Sequence, residues 1–160
     1  MLDLSWIAES LGAGSVLGGE IPRGTVSGVS IDTRLGCAGM LFAALEGEKV
    51  SGEDYLDEAI ESGAAAALVS GTGSEYKDLP VPVFRSDDTL EALQKLAADY
   101  RIKSGVKCVG ITGTAGKTET KELISAMLAG SRNVHFTQGN YNNHIGVPLT
   151  ILSMEEDTEV

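Results

Sequence analysis

Long apolar runs are missing from this 160-residue sequence. No stretch approaches the roughly 18 consecutive apolar residues that a membrane-spanning helix needs. The first residues, from Met1 to Trp6, lack the basic-then-apolar order of a signal peptide. The sequence therefore predicts a cytoplasmic protein without a membrane span.

Basic residues are also scarce, since 12 Lys and Arg stand against 23 Asp and Glu and give a formal net charge of −11. A nucleic-acid-binding surface needs a basic stripe, so the charge argues against that class. The imbalance is uneven along the chain. Residues 1–104 carry 8 basic and 17 acidic side chains, a net charge of −9, whereas residues 105–160 carry 4 and 6, a net charge of −2. The second region therefore suits an anionic ligand better.

Cysteine and histidine occur only twice each. Cys37 and Cys108 do not have the spacing of metal ligands, so both are predicted to be small residues in or near the core. His135 and His144 lie nine positions apart without a neighbouring cluster of cysteines or carboxylates. The sequence thus predicts no metal site built on these four residues.

The region around residue 116 combines a strand, a glycine turn and a helix. Apolar residues at positions 106, 108, 109 and 111 predict a short buried strand, and apolar residues over 123–128 recur at helical spacing. Backbone N–H groups at such a helix N-terminus can converge on a phosphate, while a lysine adds a cation and a threonine hydroxyl suits Mg²⁺. We therefore predict a phosphate-binding loop formed by Gly113, Thr114, Ala115, Gly116, Lys117 and Thr118.

The loop departs in one place from the usual phosphate-loop pattern, because Ile111 stands where a glycine is expected. We therefore predict that this phosphate-binding loop is of a shorter type. The alternative is a strand-turn-helix corner in which Gly-Lys-Thr occurs by chance. Lys121, one helical turn beyond Lys117, is expected to contribute little to any chemistry.

The first region reads as a strand-helix-strand unit and hence as an α/β fold. Val29 and Ile31 alternate with Ser30 and Asp32 in a strand that ends in the polar group Asp32 to Arg34. A second strand over 40–45 leads into a polar loop over 46–52, a helix begins near residue 53, and strands follow over 64–70 and 81–85, joined by a loop over 71–79. The polar strand end can hold a ligand, or it is an ordinary solvated strand end.

A helix is predicted over residues 88–103, with Asp88 and Glu91 as a capping box. We place a domain change near residue 85, which divides the chain into 1–85 and 86–160. After a strand over 133–137 comes a stretch rich in glycine and side-chain amides. It is either a ligand-binding loop or a turn with a helix-capping asparagine. The candidate binding residues in this stretch are Asn140, Asn142 and Asn143.

Two segments, residues 111–118 and 139–150, resemble the Mur ligases of peptidoglycan synthesis, which support cell shape and division. The second segment resembles the member of that family that joins D-alanyl-D-alanine to UDP-N-acetylmuramoyl-tripeptide. Residues 30–34, 41–48 and 63–67 are similar to the N-terminal UDP-substrate domain of the family. The resemblance implies a small N-terminal UDP-substrate α/β domain followed by the start of a P-loop ATP-binding central domain.

The resemblance also implies the chemistry: ATP and Mg²⁺ drive amide formation between the tripeptide carboxylate and the amine of D-alanyl-D-alanine through an acyl phosphate. Lys117 would be catalytic and Thr118 would hold the metal. The phosphate loop with Glu119, together with the three asparagines, would bind the nucleotide. The UDP end of the substrate would be held by Ser30, Asp32, Thr33, Arg34 and Gly47.

The chain departs from the family pattern at three places. Ala115 stands where the family most often has Asn or Ser, which leaves only the backbone cradle. Glu119 replaces a hydroxyl residue and brings an acid close to the phosphates. Residues 52–54 read Gly-Glu-Asp where the family commonly has a histidine.

We further expect an N-terminal fragment without ligase activity of its own, because the chain ends before the strand in which the family carries a magnesium-binding glutamate. Other ligases of the same fold remain alternatives, namely the tripeptide-forming Mur ligase and folylpolyglutamate synthase. A non-catalytic nucleotide-binding module is the third alternative.

Overall fold

The computed structural model describes residues 1–47, 50–71, 76 and 78–160. The predicted loops over 46–52 and 71–79 therefore lie partly outside the described residues. The strands are β1 (Leu2–Asp3), β2 (Thr25–Val26), β3 (Val29–Ser30), β4 (Leu41–Ala43), β5 (Ala66–Val69) and β6 (Val83–Arg85). The α-helices are α1 (Leu4–Leu11), α2 (Leu56–Glu61), α3 (Thr89–Ser104), α4 (Lys117–Leu128) and α5 (Gly146–Leu152). Single-turn 3₁₀ helices occur at Ala13–Ser15, Thr33–Leu35 and Gly52–Tyr55.

The centre of the fold is a four-stranded parallel sheet in the order β3-β4-β5-β6. Leu41 pairs with Val29 on one side and with Ala66 on the other, which sets the register of these three neighbouring strands. A parallel sheet is normally covered on both faces, and this one is. Alternate strand residues enter two separate apolar clusters, the first shared with α1, α3 and α5 and the second with α2. The α/β class predicted from the sequence is confirmed.

Helix α3 forms within one residue of the predicted range, but only the Asp88 half of the predicted capping box is present. The Asp88 carboxylate accepts hydrogen bonds from the backbone N–H groups of Leu90 and Glu91 at 2.7 and 3.0 Å, which satisfies two of the donors that a helix start leaves unpaired. Gly105 ends the helix in the left-handed conformation, at φ 67°. Leu93 and Leu96 are fully buried on the inner face, and burying side chains of this size stabilises by about 1.5–3 kcal/mol each.

Helix α3 also connects the two predicted domains. Its inner face packs on α1, where the rings of Trp6 and Tyr100 lie 5.8 Å apart and the ammonium of Lys103 sits 4.8 Å from the Trp6 ring centre. It also packs on α5, and the Gln94 amide donates a hydrogen bond of 3.0 Å to the carbonyl of His144. The boundary near residue 85 stays a prediction, with α3 as the shared wall.

Neither of the two strands predicted around the phosphate loop, over residues 106–111 and 133–137, forms a strand among the described residues. Residues 159–160 lie between them: Lys107 N–H donates to the Glu159 carbonyl at 3.1 Å, and His135 N–H donates to the Val160 carbonyl at 2.9 Å. These bonds do not make a continuous ladder. The prediction of a buried strand over 106–111 is therefore wrong beyond Val106, since Val109 is 55% exposed.

The prediction for the cysteines is half right. Cys37 is fully buried in the cluster beneath α2, whereas Cys108 is exposed. Cys108 is exposed because the residues around it pair with no described neighbouring strand and instead border a groove. None of the described helices combines the length and apolarity that a membrane crossing requires.

Candidate functional site

The turn before α4 depends on one glycine. Gly116 has φ 79° and ψ 1°, a left-handed backbone conformation that residues other than glycine rarely adopt. No neighbouring atom would meet an added Cβ at this position, so backbone conformation and not space demands the glycine. The chain turns at Gly116 and enters the helix at Lys117.

The N-terminus of α4 carries no side-chain cap. The Gly116 carbonyl accepts from Thr120 N–H at 2.9 Å, as the first bond of the helix. The N–H groups of the residues before Thr120 point out of the helix start, where the helix dipole also favours negative charge. Residues 113–119 are all exposed. The arrangement is one that an anion can reach and that backbone donors can hold.

The Lys117 ammonium lies over this turn and donates a hydrogen bond of 2.5 Å to the carbonyl of Gly113. A carbonyl is a weaker partner for an ammonium than a phosphate oxygen, so a bound anion would compete for this cation. Thr118 is exposed one residue further on, and Glu119 lies exposed in the first turn of α4. The donor set of backbone N–H groups, one ammonium and one hydroxyl fits a nucleotide phosphate with its magnesium ion.

A groove of about 450 Å³ lies beside the loop. Its walls are residues 106–111 and 134–137, and helices α4 and α5 close its sides. The polar side chains along it include Lys117, Thr118, Lys121 and Asn142. The structure thus brings one of the predicted asparagines into the same groove as the phosphate loop.

The other two predicted asparagines are placed differently. The side-chain oxygen of Asn143 accepts from Ile145 N–H at 3.1 Å and Gly146 N–H at 2.7 Å, so it caps the start of α5. Asn140 is exposed. Gly146 packs so closely that an added Cβ would lie 2.4 Å from the Cα of Tyr141. Helix capping is therefore part of the role of Asn143, and nucleotide binding by the three residues stays a prediction.

The predicted substrate residues lie where β3 ends. Ser30 is buried and its hydroxyl donates to the Asp32 carbonyl at 3.2 Å. The Asp32 carboxylate caps the short helix Thr33–Leu35 and is gripped by Arg34 through Nε at 2.8 Å and Nη2 at 2.6 Å. This side-chain pairing lowers the pKa of Asp32 to about 2. The Arg34 side chain is still 84% exposed, so the guanidinium can take a second anion.

Gly47 shapes the loop that follows β4. Its N–H donates to the Val50 carbonyl at 3.1 Å, and an added Cβ would come within 2.9 Å of that same oxygen. Gly52 is more constrained, because its Cβ would lie 2.6 Å from backbone atoms of Ala44 and Leu45. The described part of the loop is folded tightly back on the end of β4.

One anchoring residue escaped the sequence reasoning. The Glu53 carboxylate accepts hydrogen bonds from Ser70 N–H at 2.7 Å, Ser70 Oγ at 3.0 Å, Gly71 N–H at 2.9 Å and the Tyr76 hydroxyl. Partial burial raises the pKa of Glu53, but the hydrogen bonds from Tyr76, Ser70 and Gly71 outweigh burial and lower the pKa overall. The sequence does carry a signal for Glu53, because residues 52–54 depart from the family pattern and place an acid where the family commonly has a histidine.

The sequence analysis also did not single out Arg85, although it is a charged residue at the end of a strand, like the polar group predicted over residues 30–34. Its Nε donates to the Gly71 carbonyl at 2.9 Å, and its Nη2 lies 3.2 Å from Asp87. Because β3 to β6 are parallel, the groups that follow their carboxyl ends share one edge of the sheet. Ligands of open α/β sheets bind at this edge. Arg34, Glu53 and Arg85 therefore belong to one candidate surface.

Comparison with known proteins adds relatives for both regions. The chain is 40% identical over 159 residues to the UDP-N-acetylmuramoyl-tripeptide–D-alanyl-D-alanine ligase of Bacillus subtilis (strain 168), covering 96% of this chain and 33% of the relative. A crystal structure of MurF from Acinetobacter baumannii matches with a TM-score of 0.87 at 25% identity, over 99% of this chain and 34% of that one. MurF from Thermotoga maritima, solved in complex with ADP, matches with a TM-score of 0.68 at 30% identity, over 82% and 30%. The chain thus spans about a third of the length of the relatives that it matches.

Family models match the two regions in succession. The model for the Mur ligase family, catalytic domain, matches residues 25–101, and the model for the Mur ligase middle domain matches residues 111–160. The first range holds the parallel sheet with its polar edge, and the second holds the phosphate loop and the groove. Because both regions match models of one family, this chain belongs to the Mur ligase family.

Proposed function

We propose that the protein formed with these 160 residues joins D-alanyl-D-alanine to UDP-N-acetylmuramoyl-tripeptide at the expense of ATP, as a step of peptidoglycan precursor synthesis in the cytoplasm. The observation that carries the proposal is the uncapped N-terminus of α4, where Gly116, Lys117 and Thr118 present donors and a cation to an anion. The 40% identity to the Bacillus subtilis ligase supports the choice of substrates.

In this reaction an oxygen of the tripeptide carboxylate forms a bond to the γ-phosphorus of ATP, and the bond from that phosphorus to ADP breaks. The amine of D-alanyl-D-alanine then forms a bond to the acyl carbon, phosphate leaves with the electron pair of its C–O bond, and the amine releases a proton. Lys117 and the loop N–H groups would neutralise charge on the transferring phosphoryl group, which is where most catalysis of such transfers arises.

Thr118 is the loop residue whose hydroxyl would hold a magnesium ion, which would supply positive charge next to the phosphates. Glu119 sits in the same first turn of α4. Its charge favours the helix but repels phosphate, so its carboxylate has to stay turned away from a bound nucleotide. Asn142 would meet the nucleotide from the opposite wall of the groove.

The UDP end of the tripeptide substrate would bind at the carboxyl edge of the sheet. Arg34 supplies an exposed guanidinium held in place by Asp32, and Ser30 and Thr33 supply hydroxyls beside it. Gly47 keeps the neighbouring loop tight. The two ligands would therefore meet different parts of the chain, the UDP end at the sheet edge and ATP at the α4 N-terminus.

Glu119 favours a second candidate, a nucleotide-binding module without catalysis, because an acid beside the phosphates opposes their approach. ADP release in the longest natural form of the protein separates the two. We expect turnover only when both UDP-N-acetylmuramoyl-tripeptide and D-alanyl-D-alanine are present. The dipeptide form of the UDP substrate with a single amino acid, and folate with glutamate, serve as controls for the two related ligases. Nucleotide binding without turnover on any of these substrates would favour the module.

A further inference from the structure

Lys121 faces the same groove as the phosphate loop. It lies four residues after Lys117 on α4, and residues at this spacing share one face of a helix. Its neighbours Thr120 and Glu122 are exposed, whereas Lys121 is half-buried. A lysine turned inward on an otherwise exposed turn has partners that hold it there.

Two partners hold the Lys121 ammonium, and both belong to the opposite wall of the groove. Nζ donates a hydrogen bond of 2.8 Å to the carbonyl of Thr137 and lies 5.2 Å from the centre of the Phe136 ring. A hydrogen bond to a charged donor and a cation–π contact are each stronger than their neutral counterparts. Lys121 therefore links α4 to the segment 133–137.

The link sits at the point where that segment becomes the amide-rich loop. Thr137 is followed directly by Gln138, whose carbonyl accepts from Tyr141 N–H at 3.2 Å, and Asn142 N–H donates to the Asn140 carbonyl at 2.7 Å. The loop is thus a folded turn that begins at the residue Lys121 holds. Its far end is fixed separately, by the cap that Asn143 places on α5.

The remaining contacts of the segment lie further from the loop. His135 N–H binds the Val160 carbonyl, and His135 Nε2 is 2.9 Å from the carbonyl of Thr150. The segment also makes hydrogen bonds between Asn133 and each of Asp157, Glu159 and Val160, and between His135 and Ser153. None of these contacts reaches α4. The spacing between the phosphate loop and the amide loop thus depends on what joins α4 to Thr137.

We propose that Lys121 is a positioning residue that fixes the amide loop at a set distance from the phosphate loop, so that both walls of the groove contact one nucleotide. The inference rests on the proposed ATP-binding function. It assigns the Lys121 ammonium to a backbone carbonyl and not to a phosphate. It also replaces the expectation from the sequence that this lysine contributes little.

The test compares three variants of the longest natural form. Lys121→Met keeps the apolar stem against Phe136 but removes the donor, and Lys121→Arg keeps donors of similar reach. Lys95→Met is the matched control, an exposed lysine on α3 that pairs with Asp99 four residues on. Hydrogen exchange without nucleotide reports on the amides of residues 138–143, and calorimetry reports the affinities for ATP and for UDP-N-acetylmuramoyl-tripeptide.

For Lys121→Met we expect exchange over residues 138–143 to rise about tenfold and ATP affinity to fall about tenfold, the size of one hydrogen bond to a charged group. UDP-substrate affinity should stay unchanged, Lys121→Arg should recover most of both losses, and Lys95→Met should match the parent protein. Unchanged exchange in Lys121→Met would overturn the proposal, whether ATP affinity falls or not, because a fall alone means direct phosphate contact. A parent protein that binds no ATP would refute the proposed function, and the exchange result would still decide the role of Lys121.

Discussion

Asp32 is held in its charged form by two hydrogen bonds from the side chain of Arg34 and by its role as a cap. Its folded pKa of about 2 lies below the value of about 3.9 for an unperturbed aspartate. A depressed pKa means that the stabilising contribution is fully present above the unfolded value and is lost as the pH falls through the folded one. The pair is therefore intact at neutral pH and breaks only in strong acid.

We accordingly expect UDP-substrate affinity to show no titration step from Asp32 between about pH 5 and 8. NMR titration of the Asp32 carboxyl carbon measures its pKa directly. A midpoint for Asp32 at or above the ordinary aspartate value would show that Arg34 does not hold it.

Arg34 presents an accessible positive charge to an anionic ligand at the sheet edge. Arg34→Ala should lower affinity for UDP-N-acetylmuramoyl-tripeptide about tenfold or more, because a charge-assisted contact is lost and Asp32 is left unpaired. ATP affinity should not change, since the nucleotide would bind at α4. Calorimetry with each ligand measures both, and Arg23→Ala removes an exposed arginine elsewhere as the control. Loss of ATP affinity with UDP-substrate affinity intact would reverse the two assignments.

At the scale of elements, helix α3 could be predicted because every signal for it is local. Asp88 begins it, apolar residues such as Leu93 and Leu96 repeat along one face, and Gly105 ends it. The phosphate loop is local in the same sense, since glycine, lysine and threonine follow one another directly. Local patterns of this kind predict structure before any tertiary contact is known.

The elements that escaped prediction depend on distant partners. Residues 106–111 have a strand-like pattern, but a strand also needs neighbours along its whole length, and Val109 stays 55% exposed. Glu53 meets Ser70 and Gly71 only because β4 and β5 lie side by side, and Lys121 meets Thr137 across a groove. No spacing in the sequence encodes these three contacts.

The loop after β4 gives a test at this scale. Gly52→Ala would place a Cβ 2.6 Å from the backbone of Ala44 and Leu45, and backbone atoms cannot move aside cheaply. We expect the free energy of unfolding to fall by about 1–3 kcal/mol, the range for overpacking. Urea denaturation measures it, with Gly28→Ala as the control because no atom lies within 4 Å of its added Cβ. Equal effects of the two substitutions would mean that the loop is not packed as described.

At the scale of the whole molecule, the two regions differ in how well their apolar side chains are packed. The parallel sheet is buried on both faces, whereas α4 buries only Ser125 and leaves Leu123 and Met127 exposed at 63% and 74%. Apolar side chains in this state add little stability. The described residues around the phosphate loop are therefore the less firmly packed part of the chain.

We expect a polypeptide of these 160 residues alone to release no ADP above background with both substrates. The chain spans 33% of the Bacillus subtilis ligase, so most of that enzyme's length has no counterpart among these residues. A coupled assay for ADP measures this, with the longest natural form as the positive control. Steady turnover by the short polypeptide would show that these residues hold a complete site.

We infer that the turn at Gly116 would bind the phosphates of ATP and that Lys117 would neutralise the transferring group. ADP release by Lys117→Ala in the longest natural form, with UDP-N-acetylmuramoyl-tripeptide and D-alanyl-D-alanine present, tests it most directly. Lys95→Ala removes an exposed lysine from α3 and is the control. We expect Lys117→Ala to lose about 100-fold or more of the turnover while the control keeps it. Equal turnover in the two variants would contradict the assignment of the phosphate loop.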